Sequence, residues 1–186
     1  MRIELENTVA VLIDVQERLF PHMHEKEALL SKTLTLLGGL SALQVPLIVT
    51  EQYPKGLGST IPEIREVLQS VETRIGSEPL VKSAFSCCDE PTFDEALGAT
   101  DRQTVLVAGI ESHVCILQTI LDLLEGGYEP VLLVDATSSR SAADKEIALR
   151  RIEREGGRLT TVESILFELT RYSGTPRFKE ISRLVK

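Results

Sequence analysis

The chain has 186 residues, 42% hydrophobic and 26% charged, which fits one globular domain spanning residues 1–186. No apolar run approaches the roughly 20 residues needed to cross a bilayer, so no membrane partner is expected. A net charge of −8 and an aromatic content of 4% without Trp argue against nucleic acid as a partner. In chain order, residues 9–13 read as a first strand and 25–43 as a helix. Residues 46–50 read as a second strand, and 51–59 as a long irregular loop rich in Gly and Pro. Residues 80–82 are a short third strand, and a short helix over 92–97 is opened by Pro91. The fourth strand, 104–109, leads into a helix over 112–125 that stops at Gly126 and Gly127. A fifth strand over 131–134, a helix over 142–155, a short sixth strand over 158–161, a helix over 163–169 and an amphipathic tail complete the chain.

Apolar strands alternating with helices predict an α/β protein of three layers, α/β/α, with a parallel sheet covered on both faces. In such sheets ligands bind beyond the carboxyl ends of the strands, where the strand order reverses. With the order 3-2-1-4-5-6 the crevice opens between strands one and four, whose ends carry Asp14 and residues 109–115. Cys115 then stands at a helix start, where the helix dipole lowers a thiol pKa, and is a candidate nucleophile. The alternative is a small core residue. Asp14 is a candidate general base for the thiol proton, or else a helix cap. Lys82 is a candidate cation beside the thiolate, or else a surface charge.

These residues and their flanks resemble the isochorismatase-like cysteine hydrolases. The resemblance runs from Asp14-Val15-Gln16 through Lys82-Ser83-Ala84-Phe85 and Gly109-Ile110-Glu111-Ser112-His113-Val114-Cys115 to Val134-Asp135-Ala136. It implies a six-stranded parallel sheet and a catalytic triad of Asp14, Lys82 and Cys115. It further implies a cis peptide before Glu111 and an oxyanion hole made by the N–H groups of Glu111 and Cys115. The implied chemistry is acyl transfer on a small carbonyl compound, most simply an amide, through a thioester. Glu51-Gln52-Tyr53-Pro54 resembles the branch named for the isochorismatase domain alone, whose substrates the resemblance does not settle. Nicotinamidases of the superfamily hold a divalent metal with His residues after the second strand. Residues 50–60 contain no His, and His22 with His24 makes a poor metal site, so no metal or other cofactor is expected.

Gln16, Leu19, Phe20, Glu51, Tyr53, Phe85, His113 and Ile116 are candidate substrate contacts, with core packing the alternative for Leu19 and Ile116. His113 stands two residues before the cysteine, so the two point to different sides of a helix. Asp135, at the end of the fifth strand, is expected to hold a loop through nearby backbone N–H groups. Cys87 and Cys88 are expected to be small buried residues; three cysteines, two of them adjacent, make no disulfide framework. The N-terminus lacks a signal-peptide apolar stretch, and a cytoplasmic location is expected. By the resemblance a homo-oligomer is expected, with residues 116–124 and the tail as its candidate interface. An oligomeric binding or scaffold protein with little activity is the competing expectation. No G-x-G-x-x-G follows the first strand and no P-loop occurs, so nucleotide binding is not expected.

Overall fold

A computed structural model describes residues 2–186. Its strands are β1 (Thr8–Ile13), β2 (Leu47–Gln52), β3 (Leu80–Lys82), β4 (Thr104–Ile110), β5 (Glu129–Ser138) and β6 (Arg158–Thr160). Its helices are α1 (Lys26–Leu43), α2 (Pro54–Leu57), α3 (Pro62–Leu68), α4 (Pro91–Gly98), α5 (Leu117–Glu125), α6 (Ala142–Glu155), α7 (Val162–Thr170) and α8 (Pro176–Leu184). The strands pair in parallel in the order β3-β2-β1-β4-β5-β6, as expected, so strand order reverses between β1 and β4.

Alternation along each strand divides the core into two layers. Ala10 and Leu12 of β1 pack with Leu36 and Leu40 of α1, Ile64 of α3, Ile165 of α7 and Ile181 of α8. Val9, Val11 and Ile13 point the other way, to Phe93 of α4, Ile120 of α5 and Ile152 of α6. A strand buried on both faces favours apolar residues along most of its length, which is why β1 and β4 are legible as near-continuous hydrophobic runs.

Four details depart from the sequence-based elements. Glu51 and Gln52 extend β2, pairing with Val81 and Lys82 of β3, and the short helix α2 follows directly. Helix α3 lies where no element was expected; Pro62 opens it, and Ile64 and Leu68, one turn apart, are buried. Strand β5 runs past residue 134 to Ser138, resuming its pairing with β4 at Gly109–Thr137 after a register shift. Asp135 therefore lies within a strand. Its Oδ1 accepts from Val162 N–H at 2.8 Å, in the first turn of α7, and Oδ2 is 3.8 Å from Lys32 Nζ. Its bracing role thus reaches α7 and α1, not a neighbouring loop. Finally, the expected helix over 112–125 begins as a π turn, Ser112–Ile116, before α5.

Candidate active site

Asp14 follows the last residue of β1. Continued as strand, residue 14 would share the face of Ala10 and Leu12, on the α1 side. The backbone instead takes a left-handed turn there, with φ 54°, and the fully buried carboxylate meets groups of the opposite layer. Its Oδ1 accepts from Thr50 Oγ1 at 2.8 Å. Its Oδ2 lies 2.7 Å from Lys82 Nζ in an ion pair that leaves this oxygen without a well-directed hydrogen bond.

Lys82 lies two strands away from β1, and its long side chain spans the distance across the end of β2. The residue is 3% exposed, and Nζ also donates to Gln52 Oε1 at 2.6 Å, Phe85 O at 3.0 Å and Ala84 O at 3.1 Å. An isolated buried cation would be costly, and these oxygens replace its lost water. Cys115 stands in the π turn and is 6% exposed, and its thiol interacts with both Asp14 and Lys82. The N–H groups of Val114 and Ile116 both turn back to the carbonyl of Glu111, at 3.1 and 3.2 Å. The peptide bond before Glu111 is cis, as the resemblance implied.

The loop carrying Glu111 is held from β5 and beyond. Thr137 Oγ1 donates to Gly109 O at 2.9 Å and lies 2.9 Å from Ser112 Oγ. The buried Glu111 carboxylate accepts from Arg140 N–H at 3.1 Å and Nε at 3.0 Å. Its side chain is thus anchored to the segment that follows β5.

Burial raises the Asp14 pKa above its usual 3.8, against the lowering influence of Lys82, Thr50 and Cys115. Burial on its own would lower the Lys82 pKa, but the charges of Asp14, Cys115 and Cys87 outweigh it and the ammonium is held more firmly. Cys115 is pushed up to about 12, by burial first and then by Asp14, against Lys82. This reverses the expectation of a helix-activated thiolate: a desolvated thiol facing a carboxylate keeps its proton at rest. A nucleophile here must surrender that proton as it reacts, and Asp14 is placed to take it.

The candidate substrate contacts separate into groups. Tyr53 and Phe85 are 57% and 55% exposed and flank Lys82: Tyr53 N–H donates to Lys82 O at 2.9 Å, and Phe85 supplies the carbonyl already described. His113 is half-buried, with Nδ1 2.9 Å from Ser139 Oγ. Leu19 and Phe20 are half-buried against the α1-side core. Gln16, Glu51 and Ile116 are placed as supports. Gln16 Nε2 donates to Gln52 O and Gly58 O, and its Oε1 accepts from Gln52 N–H. Glu51 Oε1 accepts from Thr60 N–H and Oγ1 at 2.6 and 2.8 Å. Ile116 is fully buried among core side chains. Cys87 is also fully buried, as expected of a small core residue, with its N–H donating to Thr119 Oγ1 at 3.0 Å. Thr50 and Gln52 were missed as site residues; the signal was their alternation on β2, which aims both at the face holding Lys82.

No group of three or more His, Cys, Asp and Glu is arranged to hold a metal among the described residues. No helix among them is long and apolar enough to cross a membrane.

A doubly wound parallel sheet whose order reverses between β1 and β4 defines the class, an α/β protein of three layers, and a cysteine lies beside a buried Asp–Lys pair at its strand ends. The chain belongs to the isochorismatase domain family, a hydrolase superfamily, whose family model matches residues 8–164. Isochorismatase domain-containing protein 2A of Mus musculus is 38% identical over 186 residues, covering 100% of this chain and 85% of that protein. The structure of MAR1 ribonuclease from Caenorhabditis elegans superposes with a TM-score of 0.89 at 36% identity, covering 100% of this chain and 92% of that one. The ycaC gene product of Escherichia coli, an octameric hydrolase of unknown specificity, shares the fold with a TM-score of 0.90 at 21% identity, covering 99% and 89%.

Proposed function

We propose that this protein is a cysteine hydrolase that cleaves the C–N bond of a small amide. The convergence of Asp14, Lys82 and Cys115 from β1, β3 and the π turn carries the proposal. Asp14 accepts the Cys115 proton as Sγ attacks the carbonyl carbon. The N–H groups of Glu111 and Cys115 receive the oxyanion, where losing one donor typically costs about 2.7–4 kcal/mol. The tetrahedral adduct collapses, the amine leaves with the proton from Asp14, and a thioester remains on Cys115. Water, deprotonated by Asp14, attacks the thioester, and the acid departs as the thiol is restored. Lys82 stays an ammonium throughout, and Tyr53, Phe85 and His113 form the rim that meets the substrate. No step needs a resident metal or cofactor.

We extend the proposal to a homo-oligomer formed through α5 and the tail, in keeping with the octameric Escherichia coli relative. Three free cysteines fit a reducing, cytoplasmic setting. The ribonuclease name of the nematode relative is not carried over, because a net charge of −8 repels a phosphate backbone.

The test is a screen of small primary amides for release of ammonia, followed by a pH–rate profile. Asp14 works only when ionised and its pKa is raised, so kcat/KM should fall with acid through a midpoint above 3.8. That midpoint belongs to the Asp14–Cys115 pair jointly. Asp14→Asn should abolish turnover; a variant that keeps the wild-type acid limb would remove Asp14 from its role. A wild-type protein that assembles but hydrolyses no amide would favour the scaffold role.

A further inference from the structure

The Lys82 ammonium has three N–H bonds and four oxygens around it, and Gln52 Oε1, at 2.6 Å, lies nearest. The Gln52 amide cannot turn round, because Nε2 donates to Ser83 O at 2.8 Å and leaves Oε1 facing the lysine. Its backbone is clasped by the Gln16 amide, which donates to Gln52 O at 3.0 Å and accepts from Gln52 N–H at 2.8 Å. Gln52 is also the register partner of Lys82 across the β2–β3 pair. The residue is almost wholly buried, so water does not compete for either end of the amide.

This arrangement matters most at one instant of the reaction. When Asp14 takes the thiol proton it becomes neutral, and its pull on Lys82 falls away. The thiolate forming at Cys115 needs the cation at that moment. A carboxylate at position 52 would hold the lysine but cancel its charge. An amide oxygen holds it and leaves the charge intact.

We propose that Gln52 is a positioning residue that fixes the Lys82 ammonium against Cys115 through turnover, by offering an acceptor that carries no charge. This rests on the Asp14–Lys82–Cys115 chemistry proposed above. The ionisable groups facing the thiol are Asp14 from β1 and Lys82 from β3, and Cys87 faces the same lysine from the segment after β3.

Two variants test it. Gln52→Met keeps the side-chain length and leaves three oxygens for the three N–H bonds of Lys82, so the fold should survive. Gln52→Glu keeps an acceptor and adds a charge. The readouts are the rate of Cys115 alkylation by iodoacetamide near pH 8, located by peptide mass spectrometry, with Tm and, for an amide the wild type hydrolyses, kcat and KM. Both variants should alkylate at Cys115 about tenfold more slowly, with kcat down by a similar factor and KM little changed. Wild-type alkylation rates in either variant would overturn the proposal, as would a loss confined to KM. So would wild-type behaviour of Gln52→Glu beside an impaired Gln52→Met, which would make residue 52 a plain structural acceptor. Alkylation needs no substrate, so a wild type that hydrolyses no amide counts against the proposed function, while slowed labelling in both variants still supports the role of Gln52.

Discussion

Replacing Cys115 by alanine should remove hydrolysis, by roughly 10⁴-fold or more, while the protein still folds. The loss is large because the cysteine forms the bond that defines the intermediate, and no neighbour can substitute. Cys87 is fully buried with a thiol pushed up to about 12, and His113 is engaged with Ser139. The cost to stability should be only about 1 kcal/mol, because a single small atom is removed from the edge of a core cluster. Turnover of the best amide, measured beside a thermal melt of both proteins, checks both halves. Retained activity in a folded Cys115→Ala protein would sink the assignment.

Gly109→Ala should be the most damaging of the small substitutions near the site, at about 4 kcal/mol of stability. Gly109 has φ 117°, a conformation that L side chains rarely adopt. A Cβ placed there would collide with Ile13 O and meet Ile13 N at 2.6 Å. These are backbone atoms of β1, directly before Asp14, and cannot rotate aside. The strand must shift, and with it the turn that aims the carboxylate at Lys82. Denaturant unfolding should show the loss in midpoint, and any folded remainder should be inactive. A variant as stable and active as the wild type would mean that β1 and β4 are less tightly apposed than the register Ile13–Gly109 indicates.

Much of this was legible before any coordinates. Apolar and β-branched runs at 9–13 and 104–109 mark buried parallel strands, and polar residues at their ends mark where ligands meet the sheet. Asp14 and Cys115 are visible on that ground alone. The approach of Lys82 was less visible, because β3 lies two strands from β1 and only a side chain spans the gap. Gln52 was hidden for a different reason. After the strand residue Thr50, Glu51-Gln52 looks like the start of a polar loop, yet it is strand, because Glu51 binds Thr60, and Gln52 binds Lys82 and Ser83. Polar residues in a buried strand are tolerated when every group finds a partner, and those partners are distant in sequence. The thiol shows the same limit. A helix start lowers a thiol pKa, but burial and a neighbouring carboxylate act oppositely and more strongly here. Neither can be weighed until the fold is known.

The central claim is that Cys115 carries the acyl group. Protein quenched in acid during turnover of a hydrolysed amide, digested and examined by mass spectrometry, tests this most directly. An acyl adduct on the peptide containing Cys115, labile to hydroxylamine and absent from Cys115→Ala, is the predicted result. Turnover with no adduct on Cys115, or with the adduct on another side chain, would contradict it.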